Sequence, residues 1–399
     1  MVLSLNRVFG LIFLIGATLS LFTSLRFSFF GLGELLIIFS FFLTNYSKIP
    51  AINFKNYPFT FFWFVYISSS LIGAFINLTI LENQTGTISK LSLDLFAYIF
   101  IFCTSFTLET NFNQGSINPW RTLKYFILAT SSILTLLLFI SFFTPSLFGL
   151  NLMYHTNFSP LVDNVHQISM FYVLLPFLCL GIFLKEQEMN LGSRTSFEKV
   201  LFFLLVCSTL YMATTATATK AIVGFWLGVA CFVIFYLISK TNIYLKSLIV
   251  YLILIGASFV FFYFDVYRSL TMFFNAADLG GGRAFLYSAS INLISDSPIF
   301  GRGPGGHIWM GRIYWDVHQS FFTIFLQAGI IGFLMFFVLI FRFVKEIYRE
   351  SIFLASMVPL LIYALGGDIL RRLPVWIILI FVMYAIKHLH SNSDSETKI

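Results

Sequence analysis

Apolar runs of about 20 residues recur along the whole chain, separated by short polar breaks. A helix of that length rises about 30 Å, the hydrocarbon thickness of a bilayer. Such runs lie near 8–25, 28–45, 58–80, 91–108, 122–144, 166–184, 198–216, 220–239, 243–264, 319–341, 351–367 and 373–387. The pattern predicts an all-α integral membrane protein of about twelve transmembrane helices. One polar interruption, 265–318, is too long to be a mere connection, and a loop of that kind is expected to be functional. The layout is therefore about nine N-terminal spans over 1–264, the loop 265–318, about three C-terminal spans over 319–387 and a polar tail, 388–399, expected to be disordered.

Composition sharpens this picture. The 399 residues are 58% hydrophobic and 10% charged, with a mean hydropathy of +0.89. A soluble domain is about a quarter charged, so a soluble enzyme, a disordered chain and a nucleic-acid-binding domain are excluded. The first apolar run, after Arg7, exceeds a signal-peptide core and a second follows at once, so a retained helix is expected. Cys103, Cys179, Cys207 and Cys231 all fall in apolar runs without C-x-x-C spacing and read as packing residues.

Charge sets the orientation. An even number of spans puts both termini on one side. With the N-terminus inside, fifteen of the 24 Lys and Arg lie on the cytoplasmic side. The nine outer cations are Arg26, Lys90, Lys220, Arg268, Arg283, Arg302, Arg312, Arg371 and Arg372. Cations kept outside against this bias need another reason to be there. Loop 265–318 carries Gly280–Gly282, then Arg283, then the amphipathic stretch AFLYSASINLISD and the Gly/Pro-rich FGRGPGG. His318 opens the tenth span, and Lys220 sits at the outer boundary of the eighth, where a charge is costly unless paired or wetted. Arg302, His307 and Arg312 share the loop and are further candidates. The outer carboxylates Asp163, Asp278, Asp296, Asp316 and Asp368 are unranked partners for these groups. No D-x-D motif of a metal-dependent sugar-nucleotide transferase is visible.

From about Thr217 to Ile386 the chain resembles the O-antigen ligase and O-antigen polymerase superfamily of bacterial envelope polysaccharide enzymes. The resemblance rests on Arg283 before the amphipathic segment, the P-x-x-G-x-G run from Pro298 to Gly303, His318-Gln319, and the G-x-x-G of Gly329 to Gly332. Thr219-Lys220 stands where the family has a basic residue, usually arginine, and the lysine replaces a bidentate fork by a point charge. The ending GGDILRRLPVWIILIF, with Asp368, Arg371 and Arg372, is similar to that of the ligases.

The resemblance implies transfer of a glycan from undecaprenyl diphosphate to an acceptor hydroxyl at the periplasmic face of the inner membrane, with no cofactor and no metal. It further implies that Arg283 and Lys220 hold the diphosphate and that His318 accepts the hydroxyl proton. Cations nearby favour the neutral imidazole that this requires. Arg302, Arg312, His307, Asp368, Arg371 and Arg372 are implied to bind diphosphate or glycan. The acceptor is the lipid A core in a ligase and a second lipid-linked glycan in a polymerase. The ligase-like ending favours the former. Membrane lipid is the other expected partner, and nucleic acid is not one. Transport is the rival class, with Glu34 and Asp94 the clearest acids in or near spans, but no internal repeat is visible.

Overall fold

A computed structural model of the chain describes residues 5–27, 30–44, 46, 52–77, 87–154, 157–162, 165–189, 196–216, 218–240, 290–306, 309–310, 313–314, 317 and 319–396. These residues are mostly helical. In chain order the helices are α1 (Leu5–Leu19), α2 (Leu32–Phe41), α3 (Pro58–Ile76), α4 (Thr87–Asn113), α5 (Pro119–Ser141), α6 (Val165–Glu188) and α7 (Ser196–Thr214), followed by α8 (Thr219–Lys240), α9 (Ser320–Ile347), α10 (Ser351–Ala364) and α11 (Leu373–Glu396). Residues 290–296 are also helical.

Seven helices among the described residues are long and apolar enough to cross a membrane: α3, α5, α8 and α9, and the main parts of α4, α6 and α11. α1, α2 and α10 are shorter apolar helices. The ten residues of α2 rise only about 15 Å, half a bilayer core. α7 occupies the expected seventh span, while the expected span 243–264 lies outside the described residues. Hydropathy also missed short antiparallel hairpins. Among them, Ser146–Leu147 pairs with Leu150–Asn151, and Met153–Tyr154 pairs with Asn157–Phe158, between α5 and α6. Strands of two residues are too short to show a period.

The chain forms two compact units. The first comprises Met1–Phe64, Ala97–Phe232 and Phe337–Ile399. Here α1 packs on α2, α6 on α7 and α10, and α11 on α5. Its core is aromatic, with Trp63 4.7 Å from Trp376 and 5.4 Å from Tyr98, ring centre to ring centre. Fully buried Glu109 of α4 supplies the N-terminal cap of α3. Its carboxylate accepts hydrogen bonds from the backbone N–H of Phe59 (3.2 Å) and Thr60 (2.9 Å), and from the hydroxyls of Thr60 (2.6 Å) and Tyr384 (3.2 Å). A carboxylate at a helix N-terminus satisfies orphan donors and opposes the dipole. Lys185 of α6 joins Glu350 at 2.7 Å, and His390 of α11 meets the same carboxylate at 3.2 Å.

The second unit comprises Val65–Phe96 and Val233–Phe336. Its described part contains the C-terminal half of α3, the start of α4, the 290–296 helix with the turn after it, and α9 up to Phe336.

Candidate active site

In the second unit, α9 is broken at Gly329, whose φ of 63° and ψ of −161° are not helical. In a continuous helix Ile330 N–H would bond to Leu326 C=O, and Ile331 N–H to Gln327 C=O. Both pairs are instead exchanged with the run from Pro298 to Gly303. Ile330 N–H donates to Pro298 C=O (2.8 Å) and Ile331 N–H to Ile299 C=O (3.5 Å). In return Leu326 C=O accepts from Arg302 N–H (2.6 Å), and Gln327 C=O from Gly303 N–H (3.1 Å). A gap in the ladder of an apolar helix would leave polar groups unsatisfied where no water can reach them, and the turn fills it group for group.

Close backbone approach explains the glycines of the motif. Gly301 and Gly303 have φ of 71° and 90°. A Cβ on Gly301 would lie 2.5 Å from the Gln327 carbonyl carbon, and one on Gly303 2.5 Å from Ala74 Cβ. A Cβ on Gly329 would run into the Ile299 carbonyl. α3 and the residue after it hold both the turn and the broken part of α9. Asn77 Nδ2 donates to Gly301 C=O (3.3 Å), and Ser69 Oγ donates to Ala328 C=O (2.8 Å).

Arg302 rides on this turn and is only 4% exposed. Burial pushes its guanidinium below the ordinary arginine value, and Asp296 pulls it back up. Buried beside it in the same unit are Asp94 and Gln327. Asp94 Oδ2 accepts from Gln327 Nε2 (3.0 Å) and from Gly305 N–H (3.2 Å), while Gln327 Oε1 accepts from Tyr66 OH (2.7 Å). Gln319 caps α9 by accepting Phe322 N–H at 2.7 Å. His318, Arg283, His307 and Arg312 lie outside the described residues, as do Asp163, Asp278 and Asp316.

In the first unit, Lys220 stands in the first turn of α8, half-buried, and its ammonium donates to Gly366 C=O after α10. Just beyond, Asp368 is 7% exposed. One of its oxygens accepts Leu370 N–H (2.9 Å) and the other Arg371 Nε (3.0 Å), while Trp376 Nε1 donates to Leu370 C=O (2.9 Å). The approach to α11 is thereby a fixed turn with Arg371 held by its carboxylate. Burial lowers the Arg372 guanidinium from its ordinary value, Tyr363 and Asp368 oppose this, and Arg371 and Arg26 add to it. Arg26, on the hairpin Arg26–Phe27/Phe30–Gly31, is paired with Glu34 at 3.4 Å.

The structure thus brings Lys220 to the glycine pair before Asp368, and Arg371 to Asp368, while Arg302 sits on the turn spliced into α9. Asp94, Gln327 and Tyr66 were missed as members of a site. Their only sequence signal is an acid inside an apolar run, which reads equally as a transport group.

None of the curated proteins matches the chain significantly. Residues 201–337 match the family model described as O-antigen ligase. The matched segment takes in Lys220, the run from Pro298 to Gly303, and both Gly329 and Gly332. Over 201–337, therefore, the chain is similar to the O-antigen ligase-like superfamily.

Proposed function

We propose that the protein is an O-antigen ligase. It moves a polysaccharide from undecaprenyl diphosphate to the lipid A core at the periplasmic face of the bacterial inner membrane, without metal or cofactor. The observation that carries this reading is the family match over 201–337, which includes the spliced turn and Lys220. Arg283 and Lys220 hold the donor diphosphate. At about 5 Å and an effective dielectric near 20, each cation contributes about 3 kcal/mol before desolvation, so both are needed. The acceptor hydroxyl attacks the anomeric carbon, the bond to the diphosphate oxygen breaks, and His318 takes the hydroxyl proton. Undecaprenyl diphosphate leaves with its charge opposed by the two cations. Arg302, His307 and Arg312 line the donor side, and Asp368, Arg371 and Arg372 meet the anionic core of the acceptor. Loop 265–318 is periplasmic and both termini are cytoplasmic, on the Lys and Arg bias.

A broken membrane helix beside a buried acid is also how transporters build ion sites. Here the carbonyls freed at the break, Leu326 and Gln327, accept amides of the chain's own turn, which favours a structural splice over an ion path. A strain lacking the gene tests the acceptor. In a lipopolysaccharide gel it should show core without attached repeats, with polymer retained on undecaprenyl diphosphate. Core carrying one repeat unit would instead make the protein a polymerase using the same donor chemistry.

A further inference from the structure

We propose that Asp94 is a positioning residue for Arg302, acting through the turn that carries it. The inference rests on the proposed transferase reading, in which Arg302 meets the donor, and extends it to a residue outside the matched segment 201–337. Asp94 is 2% exposed and lies on α4, far in sequence from the turn. One carboxylate oxygen, Oδ2, receives both Gly305 N–H and Gln327 Nε2. Gly305 is three residues past Arg302, and Gln327 is two residues before the break in α9. The carboxylate therefore clamps the turn and the broken helix at the same atom. Tyr66 fixes the Gln327 amide from the other side by donating to its Oε1, which leaves Nε2 facing Asp94. Gln327 is used twice, since its backbone carbonyl also takes Gly303 N–H. Arg302 immediately precedes these anchored glycines, with its own N–H on Leu326 C=O. A buried carboxylate costs free energy unless its bonds do something, and these bonds set the place of the arginine-bearing turn.

The variants follow from both bonds ending on one oxygen. Asp94→Asn offers an amide oxygen that can accept both, whereas Asp94→Leu, of similar size, accepts none. Two readouts are taken on the purified full-length protein in detergent. One is transfer from an undecaprenyl-diphosphate-linked glycan to lipid A core, and the other is hydrogen exchange of backbone amides in 299–306. Asp94→Leu should lower kcat/KM about 30-fold and speed exchange at Arg302, Gly303 and Gly305, while Asp94→Asn stays within about threefold in both. If Asp94 acts through the turn, Asp94→Leu combined with Arg302→Ala transfers no more slowly than Arg302→Ala alone. Multiplying effects, or Asp94→Asn as impaired as Asp94→Leu, would overturn the proposal in favour of general structural damage or a direct role for the charge. Unchanged exchange in Asp94→Leu would overturn it as well. Gln327→Met cuts the clamp from the α9 side and is read the same way should Asp94→Leu not survive purification. A wild-type protein that transfers nothing would refute the transferase reading, and the exchange comparison would still decide the clamp.

Discussion

Replacing Gly329 by alanine separates the splice in α9 from ordinary helix packing. Three costs follow from the geometry. The conformation at φ 63° and ψ −161° is nearly restricted to glycine, at about 1–3 kcal/mol for another residue. The new methyl would occupy the place of the Ile299 carbonyl, which is backbone and cannot swing aside. Relieving that clash moves the turn and loosens the Ile330 to Pro298 and Arg302 to Leu326 bonds, each worth about 1 kcal/mol. The sum is about 3–5 kcal/mol. Gly149 gives the comparison, because its φ is 80° but a Cβ there meets nothing within 4 Å. Gly149→Ala should therefore cost only the left-handed backbone term, about 1–2 kcal/mol. Both variants are purified in mild detergent and heated, and the fraction still eluting as folded protein is followed by gel filtration. Gly329→Ala should be lost at clearly lower temperature than Gly149→Ala. Equal losses would refute the claim that the turn is spliced into the helix at this residue.

Two further outcomes test the cationic groups. Gly366→Ala places a methyl on the Lys220 ammonium and its stem, with Cε at 2.7 Å. A flexible side chain can yield, so folding should survive while transfer falls about tenfold, as charge moves off the proposed diphosphate site; Lys220→Ala should fall further and Lys220→Arg should retain activity, all read by transfer from the proposed lipid-linked donor. His318→Ala and Arg283→Ala should abolish transfer at near-normal protein abundance, Arg283→Lys should recover only part, and chelator should change nothing. Substantial activity in His318→Ala would remove it as the base.

The helices were legible because their signal is local. A run of apolar residues reports its own transfer free energy, and α3, α5, α8 and α9 fall where hydropathy puts them. The hairpins at 146–158 were not, since a two-residue strand has no period and its pairing is decided by the turn. Glu109 shows a second limit. An acid in an apolar run is visible, yet the donors it satisfies, Phe59 and Thr60, lie about 50 residues away in the chain. The resemblance singled out Lys220 and Asp368 as candidates, but the carbonyl that Lys220 grips, 146 residues on, was not legible.

The motif from Pro298 to Gly303 shows why a pattern can be read long before its cause. Glycine at 301, 303 and 329 was visible as turn and span chemistry, on two segments with no evident reason to depend on each other. The dependence is the exchange of backbone hydrogen bonds. Breaking α9 frees two carbonyls and two amides, and a partner must offer two of each, at contact distance, where water cannot substitute. Only backbone without side chains comes that close, which places glycine on both partners. Proline suits the first position because it offers a carbonyl and has no N–H of its own to satisfy. Each segment alone would leave four polar groups unpaired, so neither glycine cluster is stable without the other. Asp94 then closes the arrangement from α4, and nothing within the motif itself foretells it.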